Sequence, residues 1–207
     1  MTNRKQVILI NGLKRSGKDY SASLMKSKFE ELGKSVEILS FAAPMKRIIA
    51  KTFGINVEAL EEYKNSPEVY DVALFSNEAD MELHTTNFRK ILQNFGSEAM
   101  KPEFGNDVWA DICYKDTVAS KADVVIISDF RFDTEWYRFA LEEGVAYDLT
   151  SVYVQGPEKE SSDTHISEQK PNIEFSAILH NESQDEKLNP RVDELVEKIL
   201  KEQNEDQ

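Results

Sequence analysis

Short apolar runs alternate with stretches of helical spacing along most of the chain. Residues 6–11, QVILIN, form an apolar run that stops at a glycine, as expected of a strand buried on both faces. Ala22, Leu24, Met25 and Phe29 then recur at helical spacing, with Gly33 closing the segment. SVEILSF predicts a second strand. APMKRIIAKTFG predicts a helix with Pro44 in its first turn and Gly54 past its end. Residues 55–85 are mixed and acidic, are broken by Pro67, and predict one or two short helices. Phe88, Ile91, Leu92 and Phe95 predict a helix over 86–98. NDVWADICYKDTVAS predicts another, with Asn106 or Asp107 near its cap.

ADVVIISD is the clearest buried strand of the sequence, and DTEWYRFALEEG predicts a helix ending at Gly144. AYDLTSVYVQ supplies a further strand, GPEKESSDTHISE a polar loop, and FSAILHN the last strand. Val192, Leu195, Val196, Ile199 and Leu200 mark a closing helix. Strands that alternate with helices imply an α/β chain whose parallel sheet is covered on both faces. Ligands of such sheets bind beyond the carboxyl ends of the strands. The segments after residues 11, 40, 128 and 154 therefore become the places to look for chemistry.

Composition narrows the function. A chain of 207 residues can bury a substantial core and fits one domain. Its formal net charge of −13 argues against nucleic-acid backbones and anionic membranes as partners, but leaves room for a small phosphorylated substrate where cations gather locally. One cysteine, Cys113, excludes an internal disulfide and suits a reducing compartment; its neighbours suggest packing. With no membrane-length apolar run and no secretory h-region, the expected location is the cytoplasm.

The first strand runs into GLKRSGKDY, in which Gly12 and Gly17 stand five apart and Lys18 follows. A glycine-rich turn between strand and helix aims backbone N–H groups at phosphate oxygens, and the helix dipole assists. Lys18 would reach the β- and γ-phosphates of a nucleoside triphosphate, while Lys14 and Arg15 add charge beside a loop completed by Ser16. The position after the lysine usually carries a Ser or Thr hydroxyl on magnesium; here it is Asp19. Asp19 can favour the helix dipole, bind magnesium directly or through water, or orient an arginine.

A second constellation lies where VVIIS meets Asp129, with Arg131 two residues later. A carboxylate at that strand end suits a metal contact, direct or through an intervening ligand, or a helix cap. Arg131 carries a planar fork matched to phosphate. Lys46 and Arg47 follow FAAP; Arg89 and Gln93 sit four apart on one helix face, suiting an arginine on phosphate and an amide on a base edge. His165 and Glu168 in DTHISE invite an acid–base reading, which phosphoryl transfer does not require. There is no zinc-type Cys/His spacing.

Taken in order, GLKRSGKDYSA, FAAPMKRIIAKTFG, RKILQNFGSEA with DVWAD, VVIISDFRFDTEW and DTHISE resemble the motifs of bacteriophage deoxynucleoside monophosphate kinases, over all but residues 55–85. That family similarly reads glycine-lysine-aspartate in its loop, usually followed by Thr where this chain has Tyr20. The resemblance implies a P-loop nucleoside monophosphate kinase fold: a parallel β-sheet flanked by helices, with a monophosphate-binding insertion over approximately 42–121 and a lid-like loop at 155–170. It implies ATP as donor, Mg2+, and a deoxynucleoside monophosphate (dNMP) as acceptor, in the cytoplasm of an infected host, and is compatible with a homodimer. Residues 12 and 14–20 then match the ATP site, with Lys18, Asp129 and Arg131 catalytic and Asp19 and Asp129 at the metal. Lys46, Arg89, Gln93, Trp109, Arg131, His165 and Glu168 match the acceptor side. Animal-type phosphomevalonate kinases have a similar KRSGKD-like loop and aspartate strand end, although RKILQNFG with DVWAD suits a nucleotide acceptor better. A nucleotide-binding regulatory or scaffold protein without transfer activity is the alternative outside enzymes.

Overall fold

In chain order the elements are β1 (Lys5–Asn11), α1 (Lys18–Glu31), β2 (Val36–Leu39), α2 (Ala43–Thr52), α3 (Val57–Asn65), β3 (Tyr70–Ala73), β4 (Leu83–Thr86) and α4 (Phe88–Gln93). A π-helical turn, Asn94–Ala99, leads into α5 (Met100–Phe104), α6 (Val108–Ala119), β5 (Val124–Ile127), α7 (Asp133–Ala140), β6 (Tyr147–Gln155), β7 (Ala177–His180) and α8 (Leu188–Glu205). The computed structural model describes residues 4–66, 70–73, 83–141, 147–157, 170–181 and 187–205.

Five parallel strands form one sheet in the order β2-β5-β1-β6-β7. β1 is central, and because side chains alternate along a strand it feeds two cores. Ile8 and Ile10, with Val124, Ile126, Val152 and Val154, meet Ala22, Met25 and Phe29 of α1 and Val192, Val196 and Ile199 of α8. Val7 and Leu9, with Val125 and Ile127, meet Ala110, Cys113 and Tyr114 of α6, Phe139 of α7, and Phe130. Each such aliphatic side chain contributes roughly 1.5–3 kcal/mol when fully buried. The result is an α/β fold in which helices flank the parallel sheet on both faces.

Two compact units divide the chain. One comprises Met1–Phe41 with Ala110–Gln207 and contains the sheet; the other is Ala42–Trp109. The second unit has its own core of Ile49, Ala50, Leu60, Phe88 and Leu92. Tyr63 stacks on Phe88 at 5.6 Å, and Phe53 meets Phe88 edge-on at 5.2 Å. Asn56 and Asn87 cap α3 and α4 by accepting from Ala59 N and Lys90 N.

Several boundaries differ from the sequence expectation. Residues 55–85 hold α3, but also one strand of the antiparallel pair β3–β4 and most of the other. Each strand has four residues, too few for a period-two signal to stand out. The helix expected over 86–98 widens at Asn94 into the π-helical turn. Gly96 within it lies against Met45, whose sulfur would sit 2.5 Å from an added Cβ, and its carbonyl accepts from Trp109 Nε1 at 3.1 Å. α7 stops at Ala140, short of the expected Gly144, and β2 is confined to four residues. Among the described residues no helix is long and apolar enough to cross a membrane.

Candidate functional site

The turn between β1 and α1 is built around Ser16. Ser16 N donates to Leu13 O at 3.0 Å, and Arg15 adopts a left-handed backbone with φ of 65°. A non-glycine residue there costs roughly 1–2 kcal/mol, a strain held in place by the surroundings. Two glycines allow close approach to Ser16, and a third allows the approach of Asn181. A Cβ on Gly12 would lie 2.5 Å from Ser16 Oγ, and one on Gly156 would lie 2.6 Å from Ser16 Cα. Gly17, with φ of 93°, could carry no Cβ without meeting Asn181 Nδ2 at 2.4 Å. Asn181 is buried, and its Nδ2 donates to Ser16 O at 2.8 Å. Lys18 Nζ curls back onto the loop, donating to Gly12 O at 2.6 Å and Leu13 O at 2.9 Å. A phosphate arriving there would exchange two neutral acceptors for a charged one, which makes stronger hydrogen bonds.

Lys14 and Arg15 are exposed beside the loop, and Asp19 and Tyr20, both exposed, lie on the first turn of α1. Ser21, by contrast, is fully buried. The carboxylate of Asp19 is therefore the anionic oxygen ligand that this turn offers to solvent.

The neighbouring strand ends are tied together by buried polar groups. Asn11 Nδ2, at the end of β1, donates to Phe130 O at 2.8 Å. Asp129 Oδ1, just past β5, accepts from Phe41 N at 2.7 Å, linking the ends of β5 and β2. Beyond it, Glu135 Oε2 accepts from Arg131 N at 2.6 Å and Phe132 N at 3.0 Å, so one carboxylate shapes the backbone that carries Arg131. Burial pushes the Glu135 carboxyl up to about 8, with the Asp129 charge adding to the rise and the two amides and Arg131 opposing it. Gly12, Ser16, Gly17, Lys18, Asp129 and Arg131 thus lie around the carboxyl ends of the adjacent strands β1 and β5.

Within the second unit, α3 carries Glu61 and Asn65 one turn apart. Lys46 Nζ lies 2.5 Å from Glu61 Oε1, Lys64 Nζ lies 2.9 Å from Glu61 Oε2, and Arg89 Nη2 donates to Asn65 Oδ1 at 3.3 Å. Desolvation raises the Glu61 carboxyl, but hydrogen bonds and attraction from Lys46 and Lys64 outweigh it and hold the group below its ordinary value. Two of the cations singled out by sequence, Lys46 and Arg89, are therefore both anchored on α3. Gln93 is exposed on α4. Trp109 is partly buried beside Phe95, at 6.3 Å between ring centroids. His165, Glu168 and most of the 155–170 loop lie outside the described residues.

Glu135, Gly156 and Asn181 escaped the sequence reading. Glu135 had a detectable signal, a glutamate at the third position of a helix start. Asn181 and Gly156 had none, because their role depends on strands brought beside the loop by folding. Among the described residues no three His, Cys, Asp or Glu side chains form a metal-binding group.

The sequence profile of the family described as phosphomevalonate kinase matches residues 10–143. No curated protein matches the sequence. Among solved structures, a putative kinase from Chloroflexus aurantiacus is similar at a TM-score of 0.53 and 11% identity, over 98% of this chain and 99% of the other. The Mycobacterium tuberculosis APS kinase CysC in complex with AMPPNP and APS is similar at a TM-score of 0.48 and 12% identity, over 94% and 96% of the two chains. The profile spans the phosphate loop, the whole second unit, Asp129 and Arg131, and so covers well over half of the sequence. The chain belongs to the phosphomevalonate kinase family.

Proposed function

We propose that the protein transfers the γ-phosphoryl group of ATP to the phosphate of a dNMP, giving ADP and the deoxynucleoside diphosphate. The observation that carries this reading is the pair of separately built cationic sites: Lys18 on the glycine loop, and Lys46 with Arg89 held on α3. Donor and acceptor in this reaction each bring a phosphate, and each needs its own cations. Gln93, exposed one turn after Arg89, supports a base edge as part of the acceptor.

In this reading the loop amides and Lys18 bind the β- and γ-phosphates of ATP. Lys46 and Arg89 bind the acceptor phosphate, and Arg131 offsets charge on the group in transfer. An oxygen of the acceptor phosphate forms the new bond to the γ-phosphorus, and the bond from that phosphorus to the β–γ bridging oxygen breaks, releasing ADP. The attacking oxygen is already ionised near neutral pH, so no general base is needed, and alignment with charge neutralisation supplies the rate. Magnesium, held by Asp19 or Asp129 and the phosphates, would supply further neutralisation of the triphosphate. The 42–121 region serves as the acceptor-binding part.

Phosphomevalonate as the acceptor is the second reading, favoured by the family match across residues 10–143. It uses the same two cationic sites. A coupled ADP-release assay over dGMP, dTMP, dCMP, dAMP, a modified dCMP and phosphomevalonate separates the two. Turnover with at least one dNMP is expected; turnover with phosphomevalonate alone would replace the nucleotide reading, and ATP binding without turnover on any acceptor would favour a non-catalytic role.

A further inference from the structure

We infer that Asn181 is a positioning residue of the ATP-phosphate loop, setting the direction of the Gly17 N–H group. The inference rests on the reading of residues 12–19 as the ATP-phosphate site. Asn181 follows β7, at the edge of the sheet, and lies 165 residues from Ser16 in sequence, yet its side chain is buried against the loop. Its Nδ2 donates to Ser16 O at 2.8 Å, while its own backbone N donates to Gln155 O at 2.8 Å. The side chain is thus fixed from the end of β6 and aimed at one carbonyl.

That carbonyl matters because of peptide geometry. The Ser16–Gly17 peptide is trans, so the Ser16 C=O and the Gly17 N–H point in opposite directions in one plane. Holding the carbonyl toward Asn181 turns the amide away from Asn181, toward the side where an anion can be bound. Gly17 is also the N-cap of α1, so its amide belongs to the set that the helix start presents to a phosphate. The glycine is matched to the asparagine: an added Cβ would fall 2.4 Å from Nδ2. Gly156 completes the arrangement by bringing the backbone after β6 against Ser16, where an added Cβ would fall 2.6 Å from Cα. Without the Asn181 donor the buried Ser16 carbonyl is unpaired, and the peptide is free to rotate toward another partner.

The test compares Asn181→Ala, which removes the group, with Asn181→Asp, which keeps its shape but replaces the donor by an acceptor. Binding of a non-hydrolysable ATP analogue is measured by calorimetry, alongside thermal unfolding and the KM for the acceptor. We expect about tenfold weaker analogue binding in Asn181→Ala, a larger loss in Asn181→Asp, and an acceptor KM within about twofold of wild type. Analogue binding equal to wild type in Asn181→Asp would overturn the inference. So would a parallel loss of acceptor affinity, or loss of a cooperative unfolding transition in both variants, since either assigns Asn181 to the fold alone. A wild-type chain that binds no ATP analogue would remove the loop assignment itself, and the inference with it.

Discussion

Replacing Glu135 by glutamine should change how stability depends on pH, and the direction follows from the site. The Glu135 carboxyl is raised from 4.5 to about 8, chiefly by burial. A carboxyl raised on folding contributes stability that is fully present below its unfolded value and is lost as pH rises through its folded value. Between pH 5.5 and 7.5 the folded protein holds this proton and the unfolded chain has released it. The slope there is about 1.4 kcal/mol per pH unit, or about 3 kcal/mol over the interval. In the Glu135→Gln variant the amide oxygen can still accept from Arg131 N and Phe132 N, but the side chain does not titrate. Urea unfolding of both proteins across that range should show wild-type stability falling relative to Glu135→Gln by up to this amount. A constant difference between the two would refute the reasoning: it would mean that the two backbone donors outweigh desolvation and keep the carboxylate ionised in the folded protein.

Other outcomes follow from the same geometry. Arg131→Ala should lower kcat by about a hundredfold or more, the scale for removing one preorganised donor from a charged transition state, with thermal unfolding little changed; near-normal turnover would remove Arg131 from the site. Glu61→Gln should cost about 1 kcal/mol or less at pH 7, since the pair with Lys46 and Lys64 is partly exposed. Because the Glu61 carboxyl is depressed on folding, that cost should shrink as pH falls through its folded value and as salt is raised. Urea unfolding that responds to neither condition would contradict the pairing.

The parts of the fold legible in the sequence are those whose signal is local. The run VILI in β1 and the run VVII in β5 announce strands buried on both faces, and the glycine–lysine turn after the first announces an anion site. Ala22, Met25 and Phe29 mark the buried face of α1 just as their spacing implies. The less legible parts are set by contacts between distant segments. β3 and β4 take their structure from each other, and the π-helical turn follows the packing of Gly96 on Met45 and Trp109. The same division holds at the site. Lys18 and Arg131 stand out by residue type and position, whereas Asn181 becomes meaningful only once β7 lies beside β6 and its amide reaches the Ser16 carbonyl. Lys46 is similar: its sequence context suggests a phosphate ligand, but the carboxylate of Glu61 that holds it lies fifteen residues on.

The central claim is that the acceptor is itself a phosphate carried by a deoxynucleoside. Phosphorus-31 NMR of a mixture of the protein, ATP, magnesium and a panel of dNMPs tests it by observing the bond that forms. The account predicts coupled α- and β-phosphate resonances of a deoxynucleoside diphosphate, growing in step with ADP. Signals of ADP and inorganic phosphate alone, at a rate indifferent to the nucleotide, would contradict it.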